Sequence, residues 1–263
     1  MHATRLFLLM FIALGSVVTS SNIQATQATE GLLRIATISL SPAGYKENGL
    51  PKGLFYDISN AVASKAGLNY KNTIKPYGRV LNDLKAGKAD MSMLGVNPAL
   101  EEKTIKVIPI IELNFILVGQ KGLDIRSLDN FAGKVVGIIR GAQPIAASYV
   151  DGATIITVTD FAQGIKMLKA KRLDALAISE LGFYFALVKM DLSRDDFGPS
   201  MALSKSAAYM YFSSHFVDQD KIARLKVALQ SLIDDGGIQQ IMRQYVGEDY
   251  FDKTPMQEYI PYD

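Results

Sequence analysis

One pattern occurs twice in this chain. LKAGKADMSML (residues 84–94) and LKAKRLDALAI (residues 168–178) each run from the end of a helix-like stretch, through a short basic turn, to an Asp and an apolar strand-like segment. Each copy follows a strand, so the order is strand, helix, strand in both. Strands alternating with helices specify an α/β architecture in which helices cover a largely parallel sheet. Two copies predict two α/β lobes. No Gly/Ser-rich or Pro-rich linker separates them, so the lobes are joined by short crossovers rather than a flexible tether.

The remaining segments fit the same alternation. LRIATIS (33–39), NYKNTIK (69–75), NFILVG (114–119), KVVGIIR (134–140), TIITV (154–158) and AYMYFS (208–213) are strand-like. Apolar residues at helical spacing mark 57–67, 79–86, 161–170 and 181–190, and Asp160 stands where an N-cap is needed. Ile222, Leu225, Ala228, Leu229 and Leu232 make the clearest helical stripe, which stops at Gly236–Gly237 before a second helix over Ile238–Tyr245.

Composition excludes whole classes of chemistry. There is no Cys among 263 residues, hence no disulfide, no Cys nucleophile and no thiolate metal site. With two His, of which His2 is terminal, a multi-His zinc site cannot exist. His215 is read as a surface residue of the first lobe. Lys plus Arg is 28 against 26 for Asp plus Glu, so no excess base points to nucleic acid. P-loop, dinucleotide, zinc-protease, calcium-loop and nucleophile-elbow motifs are all missing. No cofactor and no metal are expected.

The N-terminus, MHATRLFLLMFIALGSVVTSSNIQA, has Arg5 before an unbroken apolar run from Leu6 to Leu14, then small residues at Ala25 and Ala28. This is a secretory signal pattern, assigned to residues 1–25. An apolar stretch of about 13 residues spans roughly 20 Å as a helix, too short for a bilayer core of about 30 Å. No Cys comes after it, so no lipid anchor is expected there and the mature chain is predicted free in the periplasm.

Four blocks resemble the family 3 periplasmic solute-binding proteins, the amino-acid-binding type that serves ABC importers. They are LLRIATISLSPAGYKENGLPKGLFYDISNAVASKAGL, PYGRVLNDLKAGKADMSMLGV, IRSLDNFAGKVVGIIRGA and IARLKVALQSLIDDGGIQQIMRQYVG. Their order and spacing over residues 32–247 carry the likeness. The resemblance implies a periplasmic-binding-protein-like (type II) clamshell, each lobe a helix-covered mixed sheet. Lobe 1 is residues 30–118 plus 206–263 and lobe 2 residues 122–202, with hinge crossings near 118–122 and 202–206. A small ligand sits between the lobes. The partner is an inner-membrane ABC permease or a periplasmic sensor domain, and the protein is a monomer.

The chain departs from that family where ligands are read. The stretch VNPALEEKTIK has Glu101 and Glu102 and no carboxylate-clamping Arg. The acid for a ligand amine comes one place late, as Glu180 after Ser179. Arg140 ends an apolar strand, and strand carboxyl ends form ligand edges in α/β folds. It is the leading candidate to hold an anionic or zwitterionic ligand. Arg79 either assists or pairs with Asp83 one helical turn on. Tyr77, placed like the family's stacking aromatic, and Tyr45 come after strands, where rings can wall a ligand; Tyr45 serves equally as hinge packing. Phe55 is a wall or a core residue, Asn97 a ligand contact or a turn residue, and Glu180 an amine acceptor or a first-turn acid. The residues favour a non-catalytic binding module. The alternative is a clamshell enzyme of the prephenate or arogenate dehydratase type with Glu180 as general acid.

Overall fold

Leu33–Ile38 (β1) is buried at five of six positions, as a parallel strand covered on both faces must be. In the computed structural model, which describes residues 31–127, 131–139 and 149–252, β1 lies inside a five-stranded sheet. Parallel neighbours flank it: Tyr70–Lys75 (β4) on one side and Met91–Gly95 (β5) on the other. Ala207–Ser213 (β12) and Thr104–Glu112 (β6) extend the sheet antiparallel, giving the order β4-β1-β5-β12-β6. A separate hairpin pairs Tyr45–Glu47 (β2) with Leu50–Lys52 (β3). Its turn is Asn48–Gly49, both at positive φ (52° and 80°), as a two-residue hairpin turn requires.

The second sheet repeats the plan. Val135–Ile139 (β8), Thr154–Val158 (β9) and Ala175–Ser179 (β10) are parallel, and Phe115–Gly119 (β7) and Ser200–Ser204 (β11) complete the order β11-β7-β10-β8-β9. Helices Leu54–Lys65 (α1) and Tyr77–Lys85 (α2) pack on the first sheet, and Phe161–Lys169 (α3) on the second. Gln219–Asp234 (α5) and Gly237–Val246 (α6) close the chain against α1.

The duplicated sequence becomes duplicated hydrogen bonding. The Asp90 N–H donates to the Arg34 carbonyl at 2.8 Å, and the Asp90 carboxylate accepts the Arg34 N–H at 2.8 Å. Asp174 does the same with Val135, again at 2.8 Å in both directions. Each Asp thereby fixes where the third strand of its unit starts relative to the first.

The chain leaves the first sheet at Leu113–Asn114 and returns at Lys205–Ser206. The first crossing corrects the expected one near 118–122. Phe115–Gly119 pairs with β10 and β11 and so belongs wholly to the second lobe.

Between the sheets lies Glu180–Met190 (α4), in which every residue from Glu180 to Leu187 is buried. A helix apolar on all sides is covered on all sides. One flank meets α3; the other meets α6 and the hairpin. Phe183 packs edge-on to Phe197 at 5.4 Å, Tyr184 to Tyr250 at 5.4 Å and Phe185 to Tyr45 at 5.5 Å. The main core therefore runs from the first sheet through α4 into the second, and a smaller core under Leu117, Val136 and Ile138 closes the far face.

Candidate functional site

The carboxyl ends of β4, β1 and β5 lie side by side on one edge of the first lobe. In open α/β sheets that edge is where ligands bind. β4 ends at Lys75, and Pro76 turns the chain into α2 with Tyr77 as its first residue. Proline cannot offer a side-chain cap, so the ring of Tyr77 projects from an uncapped helix start and is 45% exposed. β5 ends at Gly95, and Asn97 then caps a short 3-10 turn by accepting the Ala99 N–H at 2.9 Å. The amide of Asn97 donates to the Tyr77 hydroxyl at 2.8 Å. Two expected residues are thus joined, each orienting the other, and Asn97 also satisfies its turn.

Beside them a cavity of about 190 Å³ is lined by Val96, Asn97, Glu101, Thr104, Lys106 and Tyr211. The Lys106 ammonium stands 4.9 Å from the centre of the Tyr209 ring. Burial pushes the Tyr211 hydroxyl above its ordinary value, with the Asn97 backbone opposing.

Arg79 lies two residues past Tyr77, exposed, and among the described residues its guanidinium makes no hydrogen bond or ion pair. Asp83, its alternative partner, is buried and bound instead by the Lys75 ammonium at 2.7 Å. Arg140, the leading candidate on the second lobe, lies outside the described residues, as do residues 1–25.

Three expected residues stand elsewhere. Phe55 is on the inward face of α1 and buried in the first lobe's core, the second of its two expected places. Tyr45 is half-buried on the hairpin, edge-on to Phe185, and the Lys189 ammonium lies 5.8 Å from its ring centre. Lys189 also pairs with Glu47, which Lys52 holds from the other side at 2.9 Å. These two ammonium groups, Lys189 foremost, keep the Glu47 carboxyl down at about 2. Tyr45 therefore packs the hairpin onto α4.

Glu180 is 1% exposed at the start of α4. Its carboxylate accepts from the Asn114 amide at 2.9 Å and its N–H donates to the Asn114 carbonyl at 2.9 Å. Asn114 is in the crossing between the sheets and donates to Glu112 as well, at 3.1 Å. Burial, with Arg194 opposing and Glu180 adding to it, pushes the Tyr184 hydroxyl up to about 12. Glu180 thus anchors the crossing instead of standing at an open edge. Ser179 before it caps α4 by accepting the Gly182 N–H at 3.2 Å.

The sequence reading missed Leu40 and Val96, which are 58% and 49% exposed just beyond the ends of β1 and β5. It also missed Asn114. A lone apolar residue after a strand reads as more strand. The signal that isolates it is its position, one or two places past the carboxyl end of a parallel strand.

A model of the bacterial extracellular solute-binding proteins, family 3, matches residues 33–248. The chain belongs to that family. It is 21% identical to the "Arginine-binding extracellular protein ArtP" of Bacillus subtilis (strain 168) over 86% of this chain and 90% of that one. It is 24% identical to the "Probable amino-acid-binding protein YxeM" of the same organism, over 81% and 83%. Among solved structures, the "Ancestral Cationic Amino Acid Solute Binding Protein (AncCDT-1)" superposes with a TM-score of 0.69 at 16% identity, covering 83% of this chain and 96% of that one. The fold is the two-lobed one. The chain is a solute-binding protein of amino-acid type, which favours a binding module over the dehydratase alternative.

Proposed function

We propose that the chain is exported by residues 1–25 and works in the periplasm as a monomeric receptor for a small zwitterionic or anionic solute, which it hands to an ABC permease. The observation that carries this reading is the exposed Arg79, unpaired among the described residues, beside the mutually bonded Tyr77 and Asn97 on the strand-end edge of the first lobe. A cation without a protein partner next to a fixed aromatic ring offers a carboxylate a charge-assisted, bidentate bond and a wall. Arg140, one residue past the end of β8, supplies the second clamp from the opposite lobe in this reading. The lobes are joined by short crossings at 113–114 and 205–206, and their closure about the ligand would exclude water, which strengthens both bonds.

Calorimetry with the exported protein and the common amino acids tests this. Arg140→Ala is expected to cost about 2–5 kcal/mol of binding by leaving a buried anion unpaired, and Arg79→Ala less. Arg140→Lys should recover part of the loss, because Lys lacks the planar fork. If both alanine variants bind within about 0.5 kcal/mol of wild type, the arginines are surface residues and this site is wrong. Cells lacking the protein should lose uptake of the ligand; unchanged uptake with a lost ligand response points to a sensor partner instead.

A further inference from the structure

We propose that Leu40, Tyr77 and Val96 form a selectivity wall that admits an amino acid with an uncharged apolar or aromatic side chain and rejects the cationic ones. The inference rests on the receptor reading above and deepens it.

β4, β1 and β5 are adjacent, and each delivers one large, half-exposed apolar residue within two positions of its end: Tyr77 after Lys75, Leu40 after Ile38 and Val96 after Gly95. Single exposed apolar residues are ordinary on any surface. Three on one sheet edge, at the end where α/β proteins hold ligands, are a surface waiting for an apolar group. The matching edge of the second lobe differs. There β9 is followed by Thr159 and Asp160, and β10 ends at Ser179, followed by Glu180. Those polar groups are taken up by the caps of α3 and α4 and by the crossing at Asn114, so the exposed apolar contacts come from the first lobe.

Charge on the first lobe agrees. Asp83 is buried and held by Lys75. Asp57 accepts the hydrogen bond of the Tyr245 hydroxyl. Asp90 lies at the opposite end of β5, bound to Arg34. The acids after the edge, Glu101 and Glu102, are both exposed, and Glu101 shares its cavity with Lys106. Among the described residues, a guanidinium or ammonium entering here meets the side chains of Leu40 and Val96 and no buried, unpaired carboxylate, and a cation stripped of water without a partner is strongly disfavoured. Tyr77 is held ready by Asn97 at 2.8 Å, so little order is lost when a flat or branched side chain settles on its ring.

The test is calorimetry on the mature protein with L-phenylalanine, L-leucine, L-arginine, L-lysine and L-glutamate as probes. Phenylalanine or leucine should bind ~100-fold more tightly than arginine and lysine, in line with the rejection of a ligand whose polar group finds no partner. Leu40→Ala and Val96→Ala should each weaken the best probe ~10-fold. Leu50→Ala, on the hairpin and more exposed than either, should leave affinity unchanged. Leu40→Asp should move preference toward arginine. Arginine or lysine binding wild type as tightly as the neutral probes would overturn the wall while leaving the receptor reading intact; loss of that arginine binding in Glu101→Gln would then name the acid responsible. Failure of all five probes and of every other amino acid would overturn both.

Discussion

In the first lobe the chain turns from α2 into β5 through Gly87; in the second it turns from α3 into β10 through Lys171. Both residues stand in left-handed backbone, at φ 65° and 57°. A Cβ on Gly87 would lie 2.7 Å from the Cβ of His215, whereas Lys171 points into solvent. The two turns share a conformation and differ in surroundings, so what makes glycine obligatory at one of them is the neighbour across the turn and not the dihedral angle alone. The helix starts differ in the same way. Asp160 caps α3 by accepting the Gln163 N–H at 2.8 Å, and Gln163 answers by accepting the Thr159 N–H at 2.7 Å, while α2 begins after Pro76 with no such cap. The capped lobe has its helix end satisfied internally. The uncapped one exposes Tyr77 at that end.

The largest effect should come from closing the glycine turn. Gly87→Ala adds a left-handed penalty of about 1–2 kcal/mol and a clash with His215, together about 3 kcal/mol of stability in chemical denaturation. A loss below about 1 kcal/mol would mean that His215 yields and the two turns are equivalent after all. Next are the paired aspartates. Asp90→Ala strands the Arg34 N–H and its guanidinium and should cost about 2 kcal/mol; Asp174→Ala strands the Val135 N–H and should cost about 1 kcal/mol, because Asp174 is less buried and its second partner, Gln120, is neutral at 3.3 Å. Equal losses would erase that distinction. Asp160→Ala removes the cap on α3 and should cost about 1 kcal/mol, whereas no single change at Pro76 removes an equivalent bond. Lys171→Gly relieves the left-handed strain and should add about 0.5 kcal/mol once the freer unfolded chain is allowed for.

The smallest effect is at the contact between the hairpin and α4. Lys189 first, then Lys52, lower the Glu47 carboxyl from 4.5 to about 2. A lowered acid stabilises the fold above its unfolded value, so this contribution is whole above pH 4.5 and fades as the pH falls through about 2. The pair is solvated, so its weight on overall stability is slight. NMR titration of the Glu47 carboxyl carbon is the sensitive measure. Lys189→Ala should raise its midpoint more than Lys52→Ala does, and a wild-type midpoint near 4.5 would show the hairpin undocked.

The α/β class, the two lobes and most strand positions were legible because the unit occurs twice and each copy carries its own Asp, turn and apolar run. Ownership of a strand was not legible. NFILVG is uniformly apolar, and nothing within it says which sheet it joins; pairing with residues 175–179 decides that, some sixty positions downstream. β6 was invisible for another reason. TIKVIPIIE mixes Lys, Pro and Glu into an edge strand that is mostly half-exposed, with Pro109 where the register with β12 shifts. The hairpin was readable from Asn48–Gly49 alone and was overlooked. Of the expected site residues, Tyr77 and Asn97 lie just after strands, as their sequence position implied, and bond each other. Phe55 and Glu180 each kept two readings because polarity and neighbours in sequence do not reveal burial, and each sits on a helix whose inward face is set by packing.

α4 also governs how far this protein can be taken apart. Tyr184 and Phe185 lie against the first lobe while Phe183, their neighbour in sequence, lies against the second. Residues 114–204 cut out as a module would bare the first set to water, and the remaining pieces would keep Tyr45 and Tyr250 without a cover. Such a fragment is expected to associate through that patch instead of standing alone. The two halves repeat each other in plan but are not modules. Any grafting of one binding edge onto a foreign scaffold has to carry α4 and both its flanks along.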